Sequence, residues 1–321
     1  MTPPLPPLDL ALVTCGWLVG TVLLWRVRTP SARHDPAGTG SISVVIPARD
    51  EARNLPTVLA SLRAQNPPPF EVIVVDDSSS DGTAEVARAA GATVVTAPAP
   101  DDGWLGKPWA CHLGALRATG DRLLFLDADT WLAPGALERL GAAHHQAAPT
   151  GLLSVQPFHE VRSPYEQLSA FPNIVPLLAS GTCGPRPRPA TVAFGPCLVT
   201  RATDLRAVGG FSAVRGDTLE DVGLAQAYRS AGRPVHCLGG GASVRFRMYP
   251  DGLRSLVAGW TKNLAGGAVR TPLLPTLGAV AWVCACVAVT ISAVTEPGWL
   301  TVGAWVAVAG QLRWMLRRLG S

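Results

Sequence analysis

Three stretches of this chain place carboxylates where a ligand would need them. LFLDADT (124–130) closes a hydrophobic run with Asp127 and Asp129 separated by one small residue. In an extended chain residues two apart project to the same side, so both carboxylates face one ligand while Ala128 turns into the fold. Such a pair suits a hard divalent cation, Mg²⁺ or Mn²⁺, that also bridges a diphosphate. Helix capping by Asp129 or Thr130 accounts for the same residues without chemistry. VVDDSSSDGT (74–83) likewise ends an apolar run, with Asp77 placed to accept hydrogen bonds from a nucleobase imide or a ribose. A capped turn with Asp81 at the helix start is the structural account. LEDVGLA (219–225) supplies a third acidic pair, Glu220 and Asp221.

The elements that must carry these residues follow from the pattern of apolar runs. SISVVIP (41–47), EVIVVDD (71–77), ATVVTA (92–97) and RLLFLDAD (122–129) read as strands, separated by helical segments at 53–65, 82–90 and 109–119. Near-continuous apolar strands alternating with helices predict an α/β fold, a mostly parallel sheet covered on both faces. Ligands of such sheets bind beyond the carboxyl ends of the strands, which is where Pro47–Glu51, Asp77 and Asp127–Asp129 fall. Further strands are expected at 152–157, 191–200 and 234–240, and helices at 163–180 and 219–231. GTCGPRPRPA (181–190) is too rich in Pro and Gly for either and reads as a loop.

At 321 residues, 48% hydrophobic and 16% charged, the chain is too apolar for a wholly soluble protein. Leu8–Trp25 and Leu273–Val294 are uncharged runs near the length of about 20 residues that crosses a bilayer; Leu300–Leu312 is shorter. Arg26, Arg28 and Arg33 follow the first run, Arg254, Lys262 and Arg270 precede the second, and Arg313, Arg317 and Arg318 follow the third. The positive-inside rule then puts the intervening region in the cytoplasm, in a multi-pass membrane protein. The expected division is an anchor at 1–28, a catalytic domain at 40–245, an interfacial helix at 246–270 and a membrane hairpin at 271–321. The net charge of +4 contains no dense basic run, so a nucleic-acid partner is not expected. The seven cysteines form no CxxC pairs with matching partners, against a zinc site or a disulfide framework.

PARDEARNL (47–55), VVDDSSSDGT, LDADT and LEDVGLA, in this order and spacing, resemble the family 2 glycosyltransferases, which have the GT-A fold. WLGKPWAC (104–111), QPFHEV (156–161), FGPCLVTR (194–201) and FRMYPDGLRSLVAGWTKN (246–263) resemble a membrane-bound bacterial subgroup that includes carotenoid-biosynthesis glycosyltransferases. The resemblance implies a nucleotide-sugar donor, a UDP-hexose by family habit, and a lipid or isoprenoid acceptor such as a carotenoid. It implies that Pro47, Arg49 and Glu51 line the base and ribose, that Asp77 binds the nucleobase and that Lys107 lies near the donor phosphates. Asp127 would meet the ribose or diphosphate, and Asp129, with Asp127, the metal. Asp221 would be the base of an inverting transfer, with Glu220 its rival. Processive relatives carry QxxRW near this point and this chain does not; GWTKN stands there, with Trp260 and Lys262 placed to cradle the acceptor or the phosphates. A single transfer therefore fits better than polymer secretion.

Leu253, Leu256, Val257, Trp260 and Leu264 recur at helical spacing, for an interfacial helix or for packing against the catalytic domain. Among the histidines only His159 is placed on the acceptor side; His144 and His145 are expected in solvent, and His112 and His236 in structural roles. A polyprenyl-phosphate or glycerolipid acceptor stays open. So do a nucleotidyltransferase, though PARDEARNL lacks its glycine-rich phosphate loop, and a non-catalytic membrane scaffold, which would have no use for so many carboxylates at one rim.

Overall fold

The structure is a computed structural model and describes residues 7–30, 40–185, 189–267 and 273–319. Seven strands form the central sheet: β1 (Ile42–Ala48), β2 (Glu71–Asp76), β3 (Thr93–Thr96), β4 (Arg122–Leu126), β6 (Leu152–Gln156), β8 (Cys197–Arg201) and β9 (Val235–Gly239). Their order is β3-β2-β1-β4-β8-β6-β9, and only β8 runs antiparallel to its neighbours. A second sheet of three short strands, β5 (Thr130–Leu132), β10 (Val244–Phe246) and β7 (Phe158–His159), stands at the rim beyond β4.

Both faces of the large sheet are covered, as the apolar strands require. On one face Val44 and Ile46 of β1 meet Val58 and Leu62 of α2 (Leu55–Arg63), Ala87 of α3 (Thr83–Ala89) and Leu140 of α5 (Ala136–Ala147). On the other, Val45, Val75 and Phe125 meet Trp109 of α4 (Gly106–Arg117), Leu205 of α7 (Ala202–Ala207) and Tyr228 of α8 (Glu220–Ser230).

Four helices build a separate apolar cluster: α1 (Pro7–Leu23), α6 (Ala170–Ser180), α10 (Leu273–Thr295) and α11 (Trp299–Leu319). The indole of Trp282 lies where a side chain on Gly20 would be, so α1 and α10 meet closely. Gln311 ties the bundle together: it accepts from Trp282 Nε1 at 2.8 Å and donates to the Trp17 carbonyl and the Thr21 hydroxyl, both at 2.7 Å. Among the described residues α10 is the one helix long and apolar enough to cross a membrane by length and composition; the apolar helix at Ala11–Leu23 is shorter. The bundle is joined to the sheet domain along α6, whose Ile174, Leu177 and Leu178 pack with Ala279 and Trp282. The chain after α1 adds a second seam, with Arg26 N–H on the Cys183 carbonyl and Gly239 N–H on the Arg28 carbonyl, each 2.8 Å.

Several expectations are corrected. The expected strand at 191–200 begins only at Cys197, because Gly195 and Pro196 break the run. The expected helix at 163–180 is a 3₁₀ turn (Pro164–Ser169) followed by α6. β4 ends at Leu126, so Asp127 and Asp129 sit on the turn into β5 and not on extended chain. His144 is fully buried on α5, its ring 3.3 Å from the Gly151 carbonyl, and burial pushes its pKa down to about 4.

Candidate active site

The loops that follow β1 and β2 clasp one another. Asp50, at φ 55°, donates its backbone N–H to Ser79 Oγ at 3.0 Å and accepts from the Ser80 N–H at 2.8 Å. Glu51 N–H donates to Thr83 Oγ1 at 2.8 Å, and the Glu51 carboxylate accepts from Asn54 at 2.7 Å. Burial, with Asp127 among the negative charges beside it, raises the Glu51 pKa above the usual carboxylate range. Asp77 is buried and its N–H continues the sheet onto the Ala48 carbonyl at 2.8 Å. Gly106, at the start of α4, lies so close that a Cβ there would stand 2.3 Å from Asp77 Oδ2. Pro47, Arg49, Glu51, Asp77, Lys107 and Asp127 all line one cleft of about 530 Å³ at this rim. The structure therefore brings together every residue expected on the donor side.

Lys107 does more than the sequence implied. Its ammonium lies 2.9 Å from Asp127 Oδ1, 3.1 Å from Asp127 Oδ2 and 3.0 Å from Glu220 Oε1. Burial works against the charge, but the Asp127 and Glu220 carboxylates outweigh it and hold the pKa well above the lysine range.

Asp221 sits one residue further along the first turn of α8, where the helix dipole favours a carboxylate. It accepts two backbone hydrogen bonds, from Gly195 and from Val222, each 2.8 Å. Burial, and then the charge of Glu220, push its pKa up to about 6 in spite of them. Asp221 faces a second cavity, of about 360 Å³, and the cleft with Asp77 does not reach it. The walls of this second cavity are mostly apolar, with Pro176, Phe194, Phe246, Met248 and Trp260 among them. Lys107, Asp127, Asp129 and Glu220 line both cavities and form the junction between them.

Asp129 is the carboxylate at this rim that a cation would stabilise most. Burial and the neighbouring Asp127 and Glu51 raise its pKa to about 7, against a 3.3 Å hydrogen bond from Thr130 to its carboxylate. Among the described residues no group of three or more His, Cys, Asp or Glu is placed to hold a metal by itself. Magnesium-like ions, however, take one or two carboxylates and complete their shell with substrate phosphates and water. The residues fit such an ion with Asp129 as the principal ligand, because Asp127 already has both oxygens on Lys107.

The acceptor-side expectations divide. Trp260 lines the apolar cavity, held by its Nε1–H on Ser169 Oγ at 3.0 Å. His159 does not: it is 1% exposed and lies behind Phe246, edge to face at 5.6 Å, with its pKa pushed down to about 4 by burial. Lys262 falls on α9 (Leu253–Gly267), and its side chain lies outside the described residues. The helical stripe on α9 splits, Leu256 and Trp260 packing inward at 5% and 7% exposure and Leu253 and Val257 facing outward at 52% and 56%. Gln156, Asn173 and the Gly195 N–H also belong to the site and were not singled out. QPF and FGP carried the signal for two of them, while nothing around Asn173 distinguishes it from a helix interior.

Residues 43–169 match the model of glycosyl transferase family 2. The chain is 37% identical over 254 residues to a 4,4'-diaponeurosporenoate glycosyltransferase of Staphylococcus haemolyticus, covering 78% of this chain and 68% of that one. It is 36% identical over 264 residues to the protein of the same name in Staphylococcus aureus, covering 81% and 70%. Its architecture resembles a mannosyltransferase of Pyrobaculum calidifontis solved with GDP-Man and Mn²⁺, at a TM-score of 0.58 and 17% identity over 97% of this chain and 94% of that one.

Proposed function

The chain belongs to glycosyl transferase family 2, a glycosyltransferase with the GT-A fold, and from that premise we propose that it moves a sugar from a nucleotide donor onto an apolar, membrane-borne acceptor of the carotenoid or isoprenoid class. The observation that carries this reading is the pair of cavities meeting at Lys107, Asp127, Asp129 and Glu220: one bordered by Asp77, Arg49 and Glu51, the other walled mainly by apolar side chains. The donor is a UDP-hexose, with Asp77 and Arg49 on the base and ribose and the diphosphate near Lys107. A bound Mg²⁺ or Mn²⁺ on Asp129 would supply positive charge to the departing diphosphate. Lys107 adds a fixed positive charge at the same junction while holding Asp127 and Glu220 in place.

In the transfer, an acceptor oxygen in the apolar cavity forms a bond to the anomeric carbon from the face opposite the diphosphate. The bond from that carbon to the β-phosphate oxygen breaks, its electron pair leaves with the nucleoside diphosphate, and configuration inverts. A hydroxyl acceptor must lose a proton, and Asp221, on the acceptor side, is the group to take it. The substrate name of the relatives ends in "-oate", a carboxylate. An acid of that kind is ionised at neutral pH, so its oxygen attacks with no proton to remove and the product is a glycosyl ester.

The seat of the enzyme is a membrane, with the bundle of α1, α10 and α11 in the bilayer and the catalytic domain on the cytoplasmic side. The outward Leu253 and Val257 of α9 and the exposed Leu273, Leu274 and Leu277 opening α10 support a bilayer surface there. Trp260, on the inner side of α9, walls the acceptor cavity, so an apolar acceptor has a short way in from the lipid.

The test is transfer by purified enzyme in detergent or nanodiscs, across a panel of nucleotide sugars, with a long-chain apolar acid or alcohol, and with Mn²⁺ or a chelator. A glycosylated lipid formed from one donor and lost with chelator is expected. Absence of any glycosylated lipid with every donor and both acceptors would overturn the proposal.

A further inference from the structure

Two uncharged amides line the acceptor cavity, Gln156 at the end of β6 and Asn173 on α6. They are bonded to one another, Gln156 Nε2 donating to Asn173 Oδ1 at 3.2 Å. That bond uses the Asn173 oxygen, and among the described residues its NH₂ meets Met248 Sδ at 3.9 Å, a thioether and a weak acceptor. Asn173 is only 7% exposed. A buried amide so thinly engaged costs free energy that a better acceptor would recover. Its position is fixed from behind, because Ile174 and Leu177 of the same helix are locked into the bundle cluster.

The charges of the cavity say which ligand would need these amides. Among the described lining residues Lys107 is the one side-chain cation, and it is already shared between Asp127 and Glu220. An acidic acceptor entering beside Asp221 meets no unshared side-chain cation among the described residues, and an ion on Asp129 would be engaged by the departing diphosphate. Neutral amide donors can hold a carboxylate there without bringing an anion of their own.

We propose that the Asn173 NH₂, oriented by Gln156, binds one oxygen of the acceptor's carboxylate, leaving the other to attack the anomeric carbon. The inference rests on the acidic-acceptor reading above and assigns acceptor selectivity to these two amides. The new bond joins the second oxygen to the anomeric carbon. The donor's bond to the β-phosphate breaks with its electron pair on the nucleoside diphosphate, and no proton moves.

The experiment compares wild-type enzyme with Asn173→Asp, which keeps the shape and turns donors into a negative charge. Three quantities are read: KM for a long-chain apolar acid, the inhibition constant of the matching alcohol, and the donor Kd. KM for the acid should rise at least about tenfold, a change of 1.4 kcal/mol, while the alcohol and the donor keep their affinities. Equal weakening of acid and alcohol, or no change in either, would overturn the assignment. If Asn173→Asp does not fold, Asn173→Ser, shorter and uncharged, should raise KM for the acid selectively but less, and an unchanged KM there would overturn it. A wild-type enzyme that glycosylates the alcohol and never the acid would instead sink the acidic-acceptor reading, and this inference with it.

Discussion

Lys107 and Glu220 meet at 3.0 Å across the junction of the two cavities, joining the start of α4 to the start of α8. With Asp127 on its other side, this ammonium is common to both cavities, and the carboxylates around it outnumber it.

Replacing Lys107 with Met should therefore damage activity more than stability. The side chain is 38% exposed, so solvent screens much of the pairing and the stability loss should be about 1–2 kcal/mol. Turnover should fall on the order of 100-fold, because a preorganised charge near the leaving diphosphate is gone. Thermal unfolding and donor turnover, measured on the same preparation, separate the two effects.

Asp129→Asn should remove the principal metal ligand and leave the turn between β4 and β5 intact. Metal-stimulated turnover should drop at least about 100-fold, with an unchanged circular dichroism spectrum. Near-normal stimulation by Mn²⁺ in the variant would show that the ion is held elsewhere.

The pH profile should depend on the acceptor. With the Asp221 pKa at about 6, a hydroxyl acceptor should react faster as pH rises through that value, since only the carboxylate form takes a proton. An acid already ionised should lack this limb. Asp221→Asn should likewise slow transfer to a hydroxyl by on the order of 10²–10⁴-fold and transfer to a carboxylate far less. Rate profiles between pH 5 and 8 on matched acceptors check both statements.

Gly106→Ala should act on the donor side alone. A Cβ 2.3 Å from Asp77 Oδ2 must displace that carboxylate, and nucleotide affinity should weaken about tenfold. Calorimetry with the nucleoside diphosphate reads the change directly.

Gln311→Leu removes the acceptor of the Trp282 indole and the donor to α1. In the proposed membrane seat the cost should be about 1 kcal/mol, seen as a lowered unfolding midpoint in detergent, with donor affinity unchanged.

The sequence revealed the strand ends of the first half because β1, β2 and β4 are continuous apolar runs that stop at polar residues. Pro47, Arg49, Glu51, Asp77 and Asp127 follow from those stops. What escaped depends on pairing between distant segments. Nothing local shows that β8 is inserted antiparallel between β4 and β6, or that Lys107 shares its charge with Glu220. His159 reads like an acceptor-side residue in QPFHEV, yet the strand it belongs to pairs with β10 and turns the ring behind Phe246. β5, β7 and β10 are three, two and three residues long, too short to show a period. Asn173 sits in a helix that is apolar from Ile174 to Ala179 and reads as core.

Helix α6 presents Asn173 and Pro176 to the cavity and Ile174 and Leu177 to α10. The same eleven residues are thus wall to one compartment and staves to the other. In the proposed membrane seat, a lipid environment that tilts or thins around α10 would move the reaction vessel itself, and host-membrane composition would then set turnover with no regulator bound. For the same reason, severing the chain before α10 should strip the outer surface from α6 and loosen the vessel.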